Sequence, residues 1–359
     1  MKVTGKSQRA VVKTMCGILE IYRPYYYCRN CGYGVCPDDA LYGLLENKHR
    51  MTKALTLEVA YIAQNQVSFD KAEMMLSRAY GIMINRETIR DIAETLGTKA
   101  FEEDNRQAVE LINNIVNLGS DKKKDGIAYI FMDGAAVNTR VEDENGSTWR
   151  ENKLTVAFSD KSVIKRKDGG GIVTRKEVAP FIGSSEEFKK HALLAAEKAG
   201  YGYLSESVVI GDGAAWIRNI SEEIFPDATH ILDLFHLKEN IYSYSKYLHG
   251  QDNAKMVAWA EGIISKIENH YDVDGALALI PQGESPPNGV VNLRTYIENN
   301  RGRINYPEYK RKGYYIGSGA VESANKTILQ QRLKRAGMRW SVSGAQAMLT
   351  LRAKDESGR

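Results

Sequence analysis

Three acidic residues stand in glycine-flanked pockets of otherwise apolar sequence: Asp133 in IFMDGAAV, Asp212 in VVIGDGAAW and Glu322 in IGSGAVESANK. The runs Ile127–Met132 and Ser207–Ile210 read as buried strands leading into the two aspartates, and Glu322 opens a predicted helix. A carboxylate at the end of a buried strand is costly to desolvate unless a cation meets it. Three such groups from distant parts of one chain predict a divalent-cation site with Asp133, Asp212 and Glu322 as ligands. A pair of Mg²⁺ (or Mn²⁺) ions about 4 Å apart needs carboxylates that bridge and flank it, with open positions for phosphate and water. The small neighbours Gly134, Ala135, Gly211, Gly213, Ala214, Gly317, Gly319 and Ala320 keep bulk away, so a phosphodiester can approach. Each acid alone reads equally well as a turn former or helix cap. The strand, strand, helix order of all three carries the reading. Asp233 and His236, in the sequence DLFH at the end of another predicted strand, lie between the second and third acids, although the usual fate of a lone histidine is a satisfied structural one.

The elements that must position these groups follow from periodicity. Strands are predicted at 127–132, 152–158, 176–182, 206–211 and 229–233, and helices over 186–199 and from 214. The chain then turns helical (236–248, 253–270 and about 290–299), and a last helix begins near Val321 and extends past Leu333. Consecutive strands followed by strand–helix alternation describe an α/β domain, a mixed sheet covered by helices, over 125–359. Upstream, residues 8–28 alternate like a hairpin with a turn at Cys16-Gly17. Helical spacing begins at Thr56, with Ser68 as an N-cap and Gly81 as a stop. A further helix runs from Arg86 to Gly97, and the sequence from 99 to 118 reads as a separate amphipathic strut. The predicted organisation is a segment 1–50, a helical domain 51–98 of helix-turn-helix outline, a linker helix 99–124 and the α/β domain. Arg86 and Arg90 would sit on the recognition helix, but Glu87, Asp91 and Glu94 share it, so a plain three-helix packing module competes.

All four cysteines lie near the N-terminus, and Cys28 and Cys31 form a CxxC that favours metal or redox chemistry over a disulfide framework. A structural zinc site needs four ligands. Here a second CxxC is missing, and Cys16 and Cys36 fit small apolar positions equally well, so the segment reads as half of a zinc ribbon. The net charge of +4 says little, but its distribution says more. Between Tyr309 and Trp340 eight basic residues surround one acid, Glu322, which suits a polyanion brought to a metal, or else a solvated helix. No apolar run is long enough to span a bilayer and the start is no signal peptide, so the cytoplasm is the expected compartment.

The segments MDGAAVNTR, WRENKLTVAF, GDGAAWIRNI, ILDLFHLKENIY, GYYIGSGAVESANK and RLKRAGMRW resemble the ISKra-type group of bacterial insertion-sequence transposases, relatives of the Mutator-like DDE transposases. The resemblance covers nearly the whole chain. It implies an RNase H-like core with an all-helical insertion at about 237–312, and metal-dependent DNA cleavage and strand transfer at transposon ends. Its partners would be double-stranded DNA (terminal inverted repeats and target) and further copies of the chain, on the nucleoid. Carried over, Asp133, Asp212 and Glu322 are the metal-binding triad, and Asp233 and His236 match the family's D-x-x-H signature. Charge and position make Arg150, Lys153, Lys326 and Arg332 the expected strand contacts. Trp149 stands with them by position, but tryptophan is also a normal core residue and a core position is favoured for it. The family pattern also suggests a second Cys-x-x-Cys upstream of Arg9 and sequence beyond Arg359. Two other functions compete: an RNase H-like nuclease or resolvase without strand transfer, and a truncated, inactive DNA-binding derivative.

Overall fold

A computed structural model describes residues 2–44, 49–115, 118–119, 122–167, 171–250 and 252–358, without the side chains of residues 2–6. The chain forms two compact units, Met1–Glu102 with Gln330–Arg352, and Glu103–Leu329 with Ala353–Arg359.

In the first unit β1 (Lys2–Thr14), β2 (Gly17–Tyr27) and β3 (Gly34–Val35) form an antiparallel sheet, and the β1–β2 register closes at Thr14 opposite Gly17. Helix Lys53–Asn65 is capped by Thr52 and helix Phe69–Tyr80 by Ser68, whose side chains accept from backbone N–H groups in the first turn. Their apolar stripes (Leu55, Val59, Ile62, Ala72, Leu76) are buried together with Ile89 and Ile92 of the next helix.

That next helix corrects the sequence reading. It runs unbroken from Arg86 to Asn113, so Gly97 neither ends one helix nor separates two. Gly97 continues the buried i, i+4 stripe of Ile89 and Ala93, and the backbone of Ala347 occupies the space a side chain would need. A Cβ there would lie 2.2 Å from the Ala347 carbonyl oxygen.

The segment 330–352 carries a second correction. Arg332, expected to touch DNA, is 2% exposed. Its guanidinium lies between the rings of Phe69 (4.6 Å) and Trp340 (5.0 Å), and its Nε donates to the Ala63 carbonyl at 3.1 Å. Arg352 donates to the next carbonyl, that of Gln64. Both cations thus meet the negative end of helix Lys53–Asn65. Burial, then the nearby Arg352, bring the Arg332 pKa down to about 10.

The second unit is built on a five-stranded sheet in the order β10-β9-β4-β5-β8. Its strands are β4 (Lys124–Asn138), β5 (Trp149–Ser159), β8 (Glu177–Ile182), β9 (Leu204–Gly211) and β10 (Thr229–Leu232), while β6 (Val163–Lys165) and β7 (Gly171–Val173) form a separate hairpin. β4, β5 and β8 pair antiparallel, whereas β4, β9 and β10 run parallel. The fold is therefore mixed α/β, as the strand–helix pattern implies. On one face Ile130 and Met132 of β4 pack with helices Ser185–Lys198 and Ala215–Ile224 through Phe188, Ala192, Ile217 and Ile220. On the other, Phe131 stacks on Phe158 (5.4 Å) and Tyr129 meets Tyr315 (4.8 Å), and helix Gly319–Ala324 lies against β4 and β5. After β10 the chain is helical, with helices Leu234–His249, Asn253–His270, Val273–Ala278, Leu293–Asn299 and Tyr306–Arg311. Among the described residues no helix is long and apolar enough to cross a membrane.

Replacing Gly97 with alanine weighs two opposed effects. Helix propensity gains up to about 1 kcal/mol, and forcing a methyl group into a closed backbone contact costs about 1–3 kcal/mol. The expected net is a loss of stability of about 1–2 kcal/mol, seen as a lower urea midpoint at unchanged slope. A higher midpoint would mean that the two backbones stand further apart than described.

Candidate active site

The sheet register builds the site. The parallel pairing of β4 with β9 ends at Met132 opposite Gly211, and that of β9 with β10 ends at Gly211 opposite Leu232. The next residue on each strand is an aspartate: Asp133, Asp212 and Asp233. Three carboxylates therefore leave three adjacent parallel strands at one common step. Asp133 does not end its strand, as the sequence reading has it. β4 continues to Asn138 as a two-stranded ribbon with β5, because the antiparallel partner runs on after the parallel one has stopped. In β4 the alternation places Asp133 on the face of Tyr129 and Phe131, where helix Gly319–Ala324 lies.

Each aspartate spends one oxygen on nearby backbone. Asp133 Oδ1 accepts from Gly134 N–H (2.7 Å), Asp212 Oδ1 from Ala214 N–H (2.8 Å) and Asp233 Oδ1 from Phe235 N–H (2.8 Å). The last is an N-cap on helix Leu234–His249, so Asp233 also fills the bland role open to it. Behind Asp212, a Cβ on Gly213 would lie 2.2 Å from the Tyr296 ring, so a side chain there would have to displace that ring.

The second oxygens differ. Asn325 Nδ2 donates to Asp133 Oδ2 at 2.5 Å. The Ser318 hydroxyl lies between two acids, at hydrogen-bond distance (2.5 Å) from Glu322 Oε1 and close to Asp233. Asp233 Oδ2 is buried and has no hydrogen-bond partner among the described residues. His236 Nε2 stands 3.9 Å from it, while His236 Nδ1 is 3.2 Å from Glu239.

Burial, first, raises the Asp133 pKa above the ordinary carboxylate range; the Gly134 N–H opposes this, the charge of Asp212 reinforces it, and His236 and Asn325 pull it back. Burial likewise raises Asp233, opposed by the Ser318 hydroxyl, the Phe235 N–H and His236, and reinforced by Glu322. The cluster thus carries more negative charge than its own donors offset.

Asn325 is a site residue that the sequence reading missed. It is 4% exposed and opens a π-helical segment, Asn325–Gln330, which directly continues helix Gly319–Ala324. A wider turn of this kind is a common feature of functional sites. The available signal was its spacing of three from Glu322, one helical turn further on.

Among the described residues no three histidine, cysteine, aspartate or glutamate side chains are gathered at metal-ligand distance. The donor chemistry nevertheless fits a hard divalent cation. It is all oxygen, it bears unoffset charge, and it includes a buried carboxylate oxygen without a partner. Cys28 and Cys31 face each other: the Cys31 N–H, then its thiol, then the Asn30 N–H hold the Cys28 pKa below the ordinary thiol value. Cys16 is exposed at the hairpin turn and Cys36 is buried.

The basic residues expected to touch DNA divide. In the second unit Lys153 is buried, with its Nζ held by Glu151 (2.6 Å) and the Gly183 carbonyl (3.0 Å) and 5.5 Å over the Trp216 ring. Arg150 pairs with Asp143 at 3.0 Å and donates to the Val141 carbonyl. Lys326 is exposed. Trp149, expected in the core, is 47% exposed at the start of β5. In the first unit Arg86 pairs with Asp70 and Glu87, and Arg90 is exposed.

A mixed sheet with three aspartates in register and a glutamate on the crossing helix is the class of arrangement defined here. The chain belongs to the uncharacterised protein family UPF0236, whose family model matches residues 2–359. No curated protein matches its sequence.

The raised Asp133 and Asp233 values fix the sign of a pH effect. The folded state binds these protons more tightly than the unfolded chain, so their contribution to stability is complete below about pH 4, the unfolded carboxyl range. It is lost as pH rises through the raised folded values. Without divalent ions, Asp133→Asn is expected to melt above wild type at neutral pH, with the gap closing in acid. Millimolar Mg²⁺ or Mn²⁺ is expected to raise the wild-type melting temperature more than that of the variant. Equal pH profiles in the two proteins would mean that Asp133 carries no such charge penalty.

Proposed function

We propose that this protein is a DDE-type transposase of the insertion-sequence kind, cleaving DNA at element ends and joining the freed 3′-hydroxyl to target DNA. The observation that carries the reading is the common register of Asp133, Asp212 and Asp233 beside Glu322. The strand order supports an RNase H-like core: three antiparallel strands, then two parallel ones added beside the first, with helices on both faces. The helical stretch from Leu234 to Arg311 falls between the third aspartate and Glu322, where the resemblance implies an insertion.

Divalent cations held by Asp133, Asp212 and Glu322 would stabilise charge on the attacking and leaving oxygens of an in-line displacement at phosphorus. The chain's own groups prepare that step. Asn325 and the Gly134 N–H fix both oxygens of Asp133, and Ser318 holds Glu322. His236 faces the buried Asp233 through Nε2 at 3.9 Å. Exposed Lys326, four residues after Glu322, is the strand contact this reading keeps in the second unit.

Mg²⁺-dependent nicking of a plasmid carrying the element's ends tests the proposal. Asp133→Asn, Asp212→Asn and Glu322→Gln are each expected to lower the rate by about 10²–10³-fold or more. Wild-type activity in any of them removes that residue from the chemistry. Pre-cut ends offered with target DNA then separate the functions: joined products mark a transposase, and cutting without joining marks a nuclease.

A further inference from the structure

At the outer edge of the same sheet, away from the aspartate row along β10, lies a cavity of about 440 Å³. Arg218 reaches it from helix Ala215–Ile224 and Arg303 from the single turn Arg301–Arg303, with Glu222, Thr229, His230 and Asn299 completing its polar lining.

The two guanidiniums are placed unlike others in the chain. Arg86, Arg106 and Arg301 are each held by two carboxylates, Arg301 by Glu298 and Asp274 only two residues from Arg303. Among the described residues neither Arg218 nor Arg303 has a carboxylate within 4.0 Å. Glu222 lies one helical turn beyond Arg218, at the i+4 spacing that normally pairs, yet it remains exposed and outside that distance. Among the described residues the Arg303 guanidinium donates to Asn300 Oδ1 and to no carboxylate. Its turn is held in place by Tyr309, whose hydroxyl donates to the Gly302 carbonyl at 3.2 Å. Burial, then the charge of Arg218, hold Arg303 below the ordinary arginine range, and Glu222 and the more distant Asp212 oppose this only in part. Two half-buried, mutually repelling guanidiniums facing one polar cavity are stabilised when an oxyanion enters between them.

We infer that this cavity is a phosphate-binding site, with Arg218 and Arg303 as its two cationic walls. Guanidinium groups suit the tetrahedral oxyanion because their planar donors pair two oxygens at once. Asn299 and Thr229 supply neutral donors, and Glu222 limits the net charge so that a single phosphate group, rather than a cluster, is the fitting occupant. A nucleic-acid backbone and a soluble phosphate compound both present this group, and the recognition chemistry is shared. The site does not depend on the carboxylate cluster's function.

The test is thermal unfolding and calorimetry of the whole chain with inorganic phosphate, against chloride at matched ionic strength. Phosphate is expected to raise the melting temperature of wild type. Arg218→Gln and Arg303→Gln are each expected to weaken phosphate about tenfold, the usual scale for losing a charge-assisted pair. Glu222→Gln moves the result the other way: it is expected to tighten phosphate binding several-fold, and it guards against variants that merely fold badly. Absence of a phosphate-specific shift in wild type, or equal affinity in all four proteins, overturns the site. Duplex DNA of random sequence, titrated over a range of salt, identifies the source. If the backbone supplies the phosphate, each arginine variant lowers the slope of log affinity against log salt by about 1. If that slope is unchanged while a nucleoside monophosphate competes with inorganic phosphate, the ligand is a soluble phosphate compound.

Discussion

The second unit depends on holding several carboxylates together at the edge of a hydrogen-bonded core. Parallel pairing stops at one row, Met132–Gly211–Leu232, and the three residues just beyond it are all aspartates. Up to that row the strands are apolar and buried, and immediately after it the chain must satisfy charge. Each aspartate does so first with a nearby backbone N–H, which costs the fold nothing extra. The remaining oxygens need outside donors, and only part of that need is met. That deficit is carried at the expense of some stability of the fold.

The elements around the row serve that arrangement. Helices Ser185–Lys198 and Ala215–Ile224 close one face of the sheet mostly with aliphatic and aromatic side chains. The opposite face is aromatic near the strand centres and polar at the aspartate row, where helix Gly319–Ala324 brings Glu322. Asn325, one helical turn after Glu322 and first in the wider turn, meets Asp133.

How much of this was legible in the sequence depends on which signals are local. Asp133 and Asp212 stood out because each follows a continuous apolar run, and the five sheet strands could be placed for the same reason. The equivalence of Asp233 could not be seen, because it is a property of register between strands far apart in sequence. The length of β4 was hidden too, since GAAVN beyond Asp133 has no clear alternation. Arg332 was misread as one member of a basic run. Its spacing from Ile328 and Leu329, at i+4 and i+3, places it on their buried stripe, and that periodicity outweighs the charge of its neighbours. Gly97 shows the converse error. Glycine in a helical pattern suggested a stop, but it was continuing the stripe of Ile89 and Ala93.

The packing of Gln330–Arg352 with the first unit has a bearing on how the protein is made. Arg332, Trp340 and Arg352 complete the burial of elements formed from the first hundred residues, and Ala347 closes on Gly97. During synthesis, the amino-terminal strands and helices emerge long before the segment that finishes their core. The interior of the second unit, apart from its short C-terminal strand of helix, is by then already available to fold. Vectorial synthesis therefore inverts the order of the chain, with the later-encoded sheet maturing ahead of the earlier-encoded helices. Until residues 330–352 have left the ribosome, the apolar stripes of the first unit lack the segment that completes their burial.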